Sequence, residues 1–191
     1  PIACFAFANF KRKTMKAKQA IGMTFNFVNS RTREEVLLNE FGYSRHMKQS
    51  WFASLKESSG IELENCVYYR DETHYFVCTI PKENLISLGI AKEDCKAELL
   101  HNSNLNLEMM KIVAEKIALH CGLPEGVELQ LNHHGDVDIQ LFDFTKKLAA
   151  TEQIQFFNEG EVDHSLFVCL VGDALLEPFW PQGTGANRAV L

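Results

Sequence analysis

The chain has 191 residues, 46% hydrophobic and 23% charged, with a formal net charge of −6 at neutral pH. Such a composition describes a globular chain with enough apolar side chains for a core, and excludes a disorder-dominated one. The mild acidity excludes a general nucleic-acid binder, whose affinity would need a dominant basic surface, and no apolar stretch approaches the ~20 residues of a membrane helix.

In chain order, the first feature is a dense positive run, Lys11-Arg12-Lys13 with Lys16 and Lys18, read as a solvated face. Gln19 to Val28 mixes β-branched, aromatic and apolar residues without a helical period, which predicts a strand leading to a turn at Asn29-Ser30. Ser50 to Ser58 sets Trp51, Phe52 and Leu55 on one helical stripe before Gly60, a natural C-terminal stop. Cys66 to Tyr69 and Tyr75 to Ile80 are β-prone and flank a polar link, Arg70 to Thr73, so a hairpin is predicted.

Asn106 to Cys121 carries the clearest helical pattern, with Leu107, Met110, Ala114, Ile117 and Cys121 on one face and Gly122 and Pro124 closing it. Val137 to Phe144 alternates apolar and polar residues, as a half-buried strand does. Leu166 to Val171 is wholly apolar and predicts a central strand covered on both faces. The whole reads as α/β (α+β), a mixed sheet with packed helices. Six cysteines, Cys4, Cys66, Cys78, Cys95, Cys121 and Cys169, form no C-x-x-C pair and several lie in apolar runs. They are expected to be reduced, in a cytoplasmic protein, with a disulfide framework as the rival.

The segment that carries chemistry is Leu166 to Leu191. An apolar strand ends in Gly172-Asp173, a loop rich in Pro and aromatic residues follows, and Gly183-Thr184-Gly185 opens what reads as a helix. Glycine lets a backbone approach a cofactor closely. A carboxylate at a strand's carboxyl end can bind a ribose or ribityl hydroxyl, and a helix N-terminus favours phosphate. These parts in this order suggest the second FAD motif of flavoprotein hydroxylases.

The string GDALLEPFWPQGTG closely resembles the corresponding segment of the MICAL family, flavoprotein monooxygenases that act on actin filaments. FKRK at Phe10 to Lys13, AIGMTFNFVN at Ala20 to Asn29, GIELENCVYYRDETHYFVCT at Gly60 to Thr79 and LFDFT at Leu141 to Thr145 resemble family segments in the family's order. The resemblance implies that residues 10–165 are the substrate-facing sheet and helices of an FAD-binding domain. Residues 166–191 would be its second FAD motif and residues 1–9 an atypical N-terminal segment.

By position, the resemblance implies that Asp173, with Gly172 before it, holds the flavin's sugar-like chain. Gly183, Thr184 and Gly185 would place helix amides near the ribityl and pyrophosphate region, with Tyr75 associated with the flavin and Trp180 beside its ring where substrate approaches. Tyr75 as an ordinary strand aromatic and Trp180 as a loop anchor stand as the plainer alternatives. The implied activity is FAD- and NADPH-dependent oxidation of methionine to its sulfoxide on F-actin, in the cytoplasm on the cytoskeleton. A flavin hydroxylase of a small aromatic compound, or an inactive scaffold that binds actin or another partner, are the competing readings.

The chain departs from the family pattern in three places. It lacks the family's glycine-rich G-x-G-x-x-G loop and its Gly-Ala-Asp-Gly type segment, which Pro1 to Asn9 cannot replace, and after Gly185 it runs Ala186-Asn187-Arg188-Ala189-Val190-Leu191. The expectation is an incomplete part of the flavoprotein domain, partnered by that domain's upstream half and inactive alone. His133-His134 with Asp136 and Asp138 is not expected to hold a metal, because neighbours on a strand point to opposite faces. His74 reads as structural more readily than as a general base, and Glu177 as capping a turn or meeting a cation.

Overall fold

The computed structural model describes residues 10–16, 21–92, 99–144, 146–158 and 165–177. Two compact units form, one from residues 19–143 and the other from residues 1–18 with 144–191.

Within the larger unit the β-prone runs become β2 (Ile21–Val28), β3 (Phe41–Ser44), β4 (Asn65–Arg70), β5 (Thr73–Ile80) and β6 (Ile139–Asp143); β1 (Arg12–Lys16) belongs to the smaller unit. Their sheet has the order β3-β4-β5-β2-β6, and every ladder in it is antiparallel. The predicted hairpin is present, with Cys66 opposite Cys78 and Tyr69 opposite Tyr75. Alternation then does the sorting: Ile21, Met23, Phe25 and Phe27 of β2 and His74, Phe76, Cys78 and Ile80 of β5 are buried on one face.

That face is covered by α2 (Gln49–Ser59) and α4 (Leu107–His120), with the short helices α1 (Arg33–Val36) and α3 (Lys82–Ser87) at its margins. Gly60 ends α2 in the left-handed region at φ 74°, where a residue with a Cβ is strained, so the predicted stop has a conformational cause. Asn106 caps α4 by accepting from the Met109 amide. The buried face of α4 is Met110, Val113, Ala114, Ile117 and Ala118. Leu107 was expected on it and is instead 45% exposed.

An aromatic ladder crosses the core. Phe76 stacks on Phe25 at 5.1 Å between ring centroids and on Tyr68 at 4.8 Å, and Tyr68 lies 5.7 Å from Phe41. These four rings come from β2, β5, β4 and β3 in turn, so one row of side chains ties four strands together.

The smaller unit contains two antiparallel pairs: β1 with β7 (Lys146–Ala150), and β8 (Ile154–Asn158) with β9 (Ser165–Cys169). The charged run at Lys11 is therefore the start of a ribbon strand, with Lys11, Arg12 and Lys13 exposed as expected. The covered central strand at Leu166 to Val171 is corrected. β9 stops at Cys169 and pairs with β8, while Leu166, Phe167 and Val171 are 64%, 54% and 66% exposed. A continuous apolar run predicts burial, but this unit's own described residues do not supply it. Among the described residues no helix is long and apolar enough to cross a membrane.

Candidate functional site

Because β-strands alternate, the sheet face opposite the helices is set by the same residues in the other phase. It carries Thr24 and Asn26 from β2, Val67 and Tyr69 from β4, Thr73, Tyr75 and Val77 from β5, and Gln140 from β6. Tyr75, the residue singled out in sequence, is half-buried here, across from Asn26 on one side and Tyr69 on the other. The Tyr69 and Tyr75 rings lie 6.5 Å apart and nearly parallel, at 18°.

A polar thread orders this face. The Thr73 hydroxyl donates to Asn26 Oδ1 at 2.7 Å, and Asn26 Nδ2 donates to Asp138 Oδ2 at 2.7 Å. Both ends of the Asn26 amide are thus used, which fixes its orientation beside Tyr75. Burial, then the Asp138 carboxylate and Tyr69, push the Tyr75 phenol above its ordinary pKa. At neutral pH Tyr75 is a protonated O–H donor. The arrangement is a half-buried patch of tyrosine, amide and hydroxyl groups. Depressions of about 650 and 400 Å³ border the loop at Pro124 to Glu128, and neither includes Tyr75.

Gly172 and Asp173 belong to the smaller unit. They sit in a 3₁₀ turn, Gly172–Ala174, separated from the end of β9 by Leu170 and Val171. Gly172 has φ 54°, a left-handed conformation that favours glycine, and the Asp173 side chain is exposed. The turn is tied down by its neighbours: Arg12 Nη2 donates to the Ala174 carbonyl at 2.9 Å, and Glu177 Oε2 accepts from the Leu148 amide at 2.7 Å. Glu177 is therefore a local clamp onto β7. Asp173 was expected to end a buried strand and instead lies exposed in an anchored turn. Trp180, Gly183, Thr184 and Gly185 lie outside the described residues, as do residues 1–9.

His74 lies on the helix-covered face, wholly buried. Tyr68 Oη is 2.8 Å from its Nδ1, and its Nε2 lies 3.4 Å from Glu35 Oε1 without the alignment of a hydrogen bond. Burial, which outweighs the nearby charges, pushes the Tyr68 phenol up to about 12, so Tyr68 stays protonated in its hydrogen bond with Nδ1. Glu35 is itself buried; its other oxygen accepts from the Thr32 amide at 2.6 Å while its amide donates to Thr32 Oγ1, a capping box for α1. Sequence reasoning weighed His74 but missed Glu35 and Tyr68. The signal for Glu35 was present as Thr32-x-x-Glu35.

This buried set makes stability depend on pH. Burial holds the His74 imidazole below its ordinary pKa of 6.5, against the opposing pull of Glu35. For Glu35, burial would raise the carboxyl, but hydrogen bonds from Thr32 and then the adjacent His74 imidazole outweigh it and leave it below 4.5. Unfolding therefore takes up a proton at His74 once the pH drops through about 6.5, and at Glu35 below 4.5, so stability present at pH 7 is lost on acidification. Urea unfolding at a series of pH values should show stability falling between pH 7 and 5, with a shallower fall in His74→Gln; an unchanged slope in the variant would remove His74 as its source.

His133 and His134, read as strand residues, form part of a turn with their ring centroids 3.7 Å apart, both exposed. Asn132 Oδ1 accepts from the His134 and Asp136 amides there. Among the described residues no group of three or more His, Cys, Asp or Glu is placed to hold a metal ion.

Fold and face together define an α+β domain layer, its antiparallel sheet sealed by helices on one side and bearing half-buried tyrosine, amide and hydroxyl groups around Tyr75 on the other. The family profile described as "Mical, Rossman domain" matches residues 19–143, the same span as the larger unit. Over 188 residues, 95% of the chain, it is 40% identical to the F-actin-monooxygenase MICAL2 of Mus musculus and 41% identical to the F-actin-monooxygenase MICAL1 of Homo sapiens. It is also 37% identical over 190 residues, 96% of the chain, to the protein-methionine sulfoxide oxidase mical3a of Danio rerio. The chain belongs to the MICAL family. It spans 10%, 17% and 9% of the length of these three relatives.

Proposed function

We propose that this chain is the substrate-facing layer and second FAD motif of a monooxygenase domain that oxidises methionine side chains of F-actin and so promotes filament disassembly. The observation that carries this reading is the half-buried polar patch around Tyr75, in a unit whose span coincides with the family match. In this reading residues 10–165 supply the layer over the flavin and residues 166–191 the arm that holds its sugar-like chain. FAD, reduced by NADPH, supplies the activation of oxygen.

The chain's own residues bind and position. Tyr75 donates from its phenol toward the flavin, with Asn26, Thr73 and Asp138 fixing the strand edge beside it. Asp173 accepts from a ribityl hydroxyl, its turn set by Gly172 and anchored through Arg12 and Glu177. Gly183, Thr184 and Gly185 present backbone amides to the pyrophosphate side, and Trp180 lines the approach of the methionine thioether. Sulfoxidation makes a flexible apolar side chain polar and chiral, enough to weaken a filament contact.

The exposed apolar side chains of the smaller unit, Phe156 at 67% and Leu166 at 64% among them, support a further layer packed against it. The domain's upstream half, with the pyrophosphate-binding loop, is the partner of that chemistry. The exposed Lys11, Arg12 and Lys13 suit an acidic filament surface by electrostatic steering. The setting is the cytoplasm, in association with the cytoskeleton.

The experiment joins the family's upstream segment to this chain and incubates the product with F-actin and NADPH. Mass spectrometry of the actin should then show methionine sulfoxide dependent on NADPH and on catalytic amounts of protein. Oxidation of a small aromatic substrate with actin left unmodified would refute the assignment.

A further inference from the structure

We infer that the groove between α4 and the loop at Pro124 to Glu128 is a docking site for a basic amphipathic segment of a partner protein. Nothing in this inference depends on the flavin reading, because the groove is built on the helix-covered side of the sheet and Tyr75 lies on the other. Its floor is apolar: Phe27 of β2, Ala118 of α4 and Leu123 are buried, with Val127 and Leu129 half-buried beside them. Leu119 lines the same groove and is exposed, as is Ile112, which stands two turns earlier on the same stripe of α4. A single exposed apolar side chain needs no explanation, but here apolar surface runs from a depression of about 400 Å³ along the helix beside it.

Backbone bonds hold the groove in shape. Gly122, at φ 94°, turns the chain out of α4, and the Leu123 amide donates back to the Ala118 carbonyl at 3.0 Å. At the loop's other end the Val28 amide donates to the Glu128 carbonyl and the Gln130 amide to the Asn26 carbonyl, each at 2.9 Å, so Leu129 bridges to Phe27 at the margin of β2. Walls fixed before a partner arrives spare the cost of ordering them on binding.

Charge selects the occupant. Among the described residues, every charged side chain lining the groove is an exposed carboxylate: Glu115, Glu125 and Glu128. The neighbouring depression shares Pro124 to Glu128 and adds the exposed Glu34, with Arg33 as the only cation in its described lining. Among the described residues none of these four carboxylates takes part in an ion pair, unlike Glu108, which holds Lys111 at 2.8 Å; Lys116 of the same helix stands outside the lining. The C-terminal half of α4 forms one wall, and a helix carries partial negative charge at that end. An apolar floor under an unneutralised acidic rim calls for apolar anchors flanked by Lys or Arg, which a basic amphipathic helix presents at i, i+3, i+4 and i+7. A nucleic acid or an anionic membrane would be repelled by the same rim.

The probe is a fluorescent peptide of leucine and lysine with its leucines at helical spacing, titrated with the full 191-residue chain and followed by anisotropy. Binding should saturate, and should weaken about 10-fold in Glu125→Lys/Glu128→Lys and about 3-fold in Leu119→Ala. All three side chains are exposed, so these variants keep the fold. Glu57→Lys/Glu83→Lys, which reverses exposed carboxylates on α2 and α3, should leave binding unchanged. Equal weakening by the two charge reversals, or equal binding of a peptide of the same composition with its leucines scrambled, would reduce the effect to the chain's net charge of −6 and overturn the inference. Undiminished binding in Leu119→Ala would overturn it as well. The same order of affinities should hold in the domain joined to its upstream half; loss of binding there would mean that the upstream half fills the groove, and the inference would fall.

Discussion

Phe76→Ala is expected to destabilise the larger unit by about 3 to 5 kcal/mol, the range for emptying a large aromatic site in a core. Phe76 is 1% exposed and sits between Phe25 and Tyr68 in the ladder, with Phe27 edge-on at 6.1 Å. Its removal leaves a void that β5, hydrogen-bonded to strands on both sides, cannot collapse to fill. Since whole domains are stable by only about 5 to 15 kcal/mol, this one change takes a large share of the total. Tyr69→Ala, on the same hairpin but 51% exposed, is the contrast and should cost far less. Urea unfolding of both variants checks the pair; equal losses would mean that the ladder is not the centre of the core.

Asp173→Ala and Trp180→Ala, placed in the domain restored with its upstream half, should fail in different ways. The Asp173 carboxylate stands on an anchored turn and, if it accepts a flavin hydroxyl, its loss removes a charge-assisted hydrogen bond of roughly 1.5 to 3 kcal/mol. That corresponds to FAD binding weaker by roughly 10- to 150-fold. Flavin should be lost on gel filtration before any other defect appears. Trp180→Ala should keep its flavin while lowering the NADPH consumption that filaments stimulate. Equal flavin loss in both variants would make Trp180 a structural anchor, and undiminished stimulation by actin would take it out of the substrate site.

The parts of this fold that could be read from sequence are those where one local rule dominates. Gly60 closes α2, Asn106 opens α4, and the hairpin pairs Cys66 with Cys78 because period-2 alternation fixes register once one face is buried. The strands β1, β3, β7 and β8 went unread. They are short, and β1 and β7 are rich in lysine, so pairing with each other across most of the chain, rather than their own propensity, makes those two strands. Leu166 to Val171 misled for the opposite reason: its apolarity was plain, but apolarity does not say what covers a strand.

The site was legible in a similar, partial way. Tyr75 was found through its resemblance to a family tyrosine, and the structure gives it an ordered setting through Asn26, Thr73 and Asp138, which converge only when β2 and β5 pair. The contact of His74 with Tyr68 and Glu35 likewise needs three separate elements, and no spacing within the chain announces it. Asp173 was singled out in sequence, but its place in an exposed turn beyond β9, after Gly172 in a left-handed conformation, is a property of the backbone that the motif does not announce.

The account's central claim, that this chain carries one arm of an FAD site whose other arm lies in the upstream half of the domain, is tested most directly by flavin content. The 191-residue chain and the same chain joined to the family's glycine-rich upstream segment should be purified in parallel, saturated with FAD and passed through gel filtration. The account predicts a colourless chain and a yellow joined domain with flavin bound in stoichiometric amount. Stoichiometric FAD retained by the chain alone, or none retained by the joined domain, would contradict it.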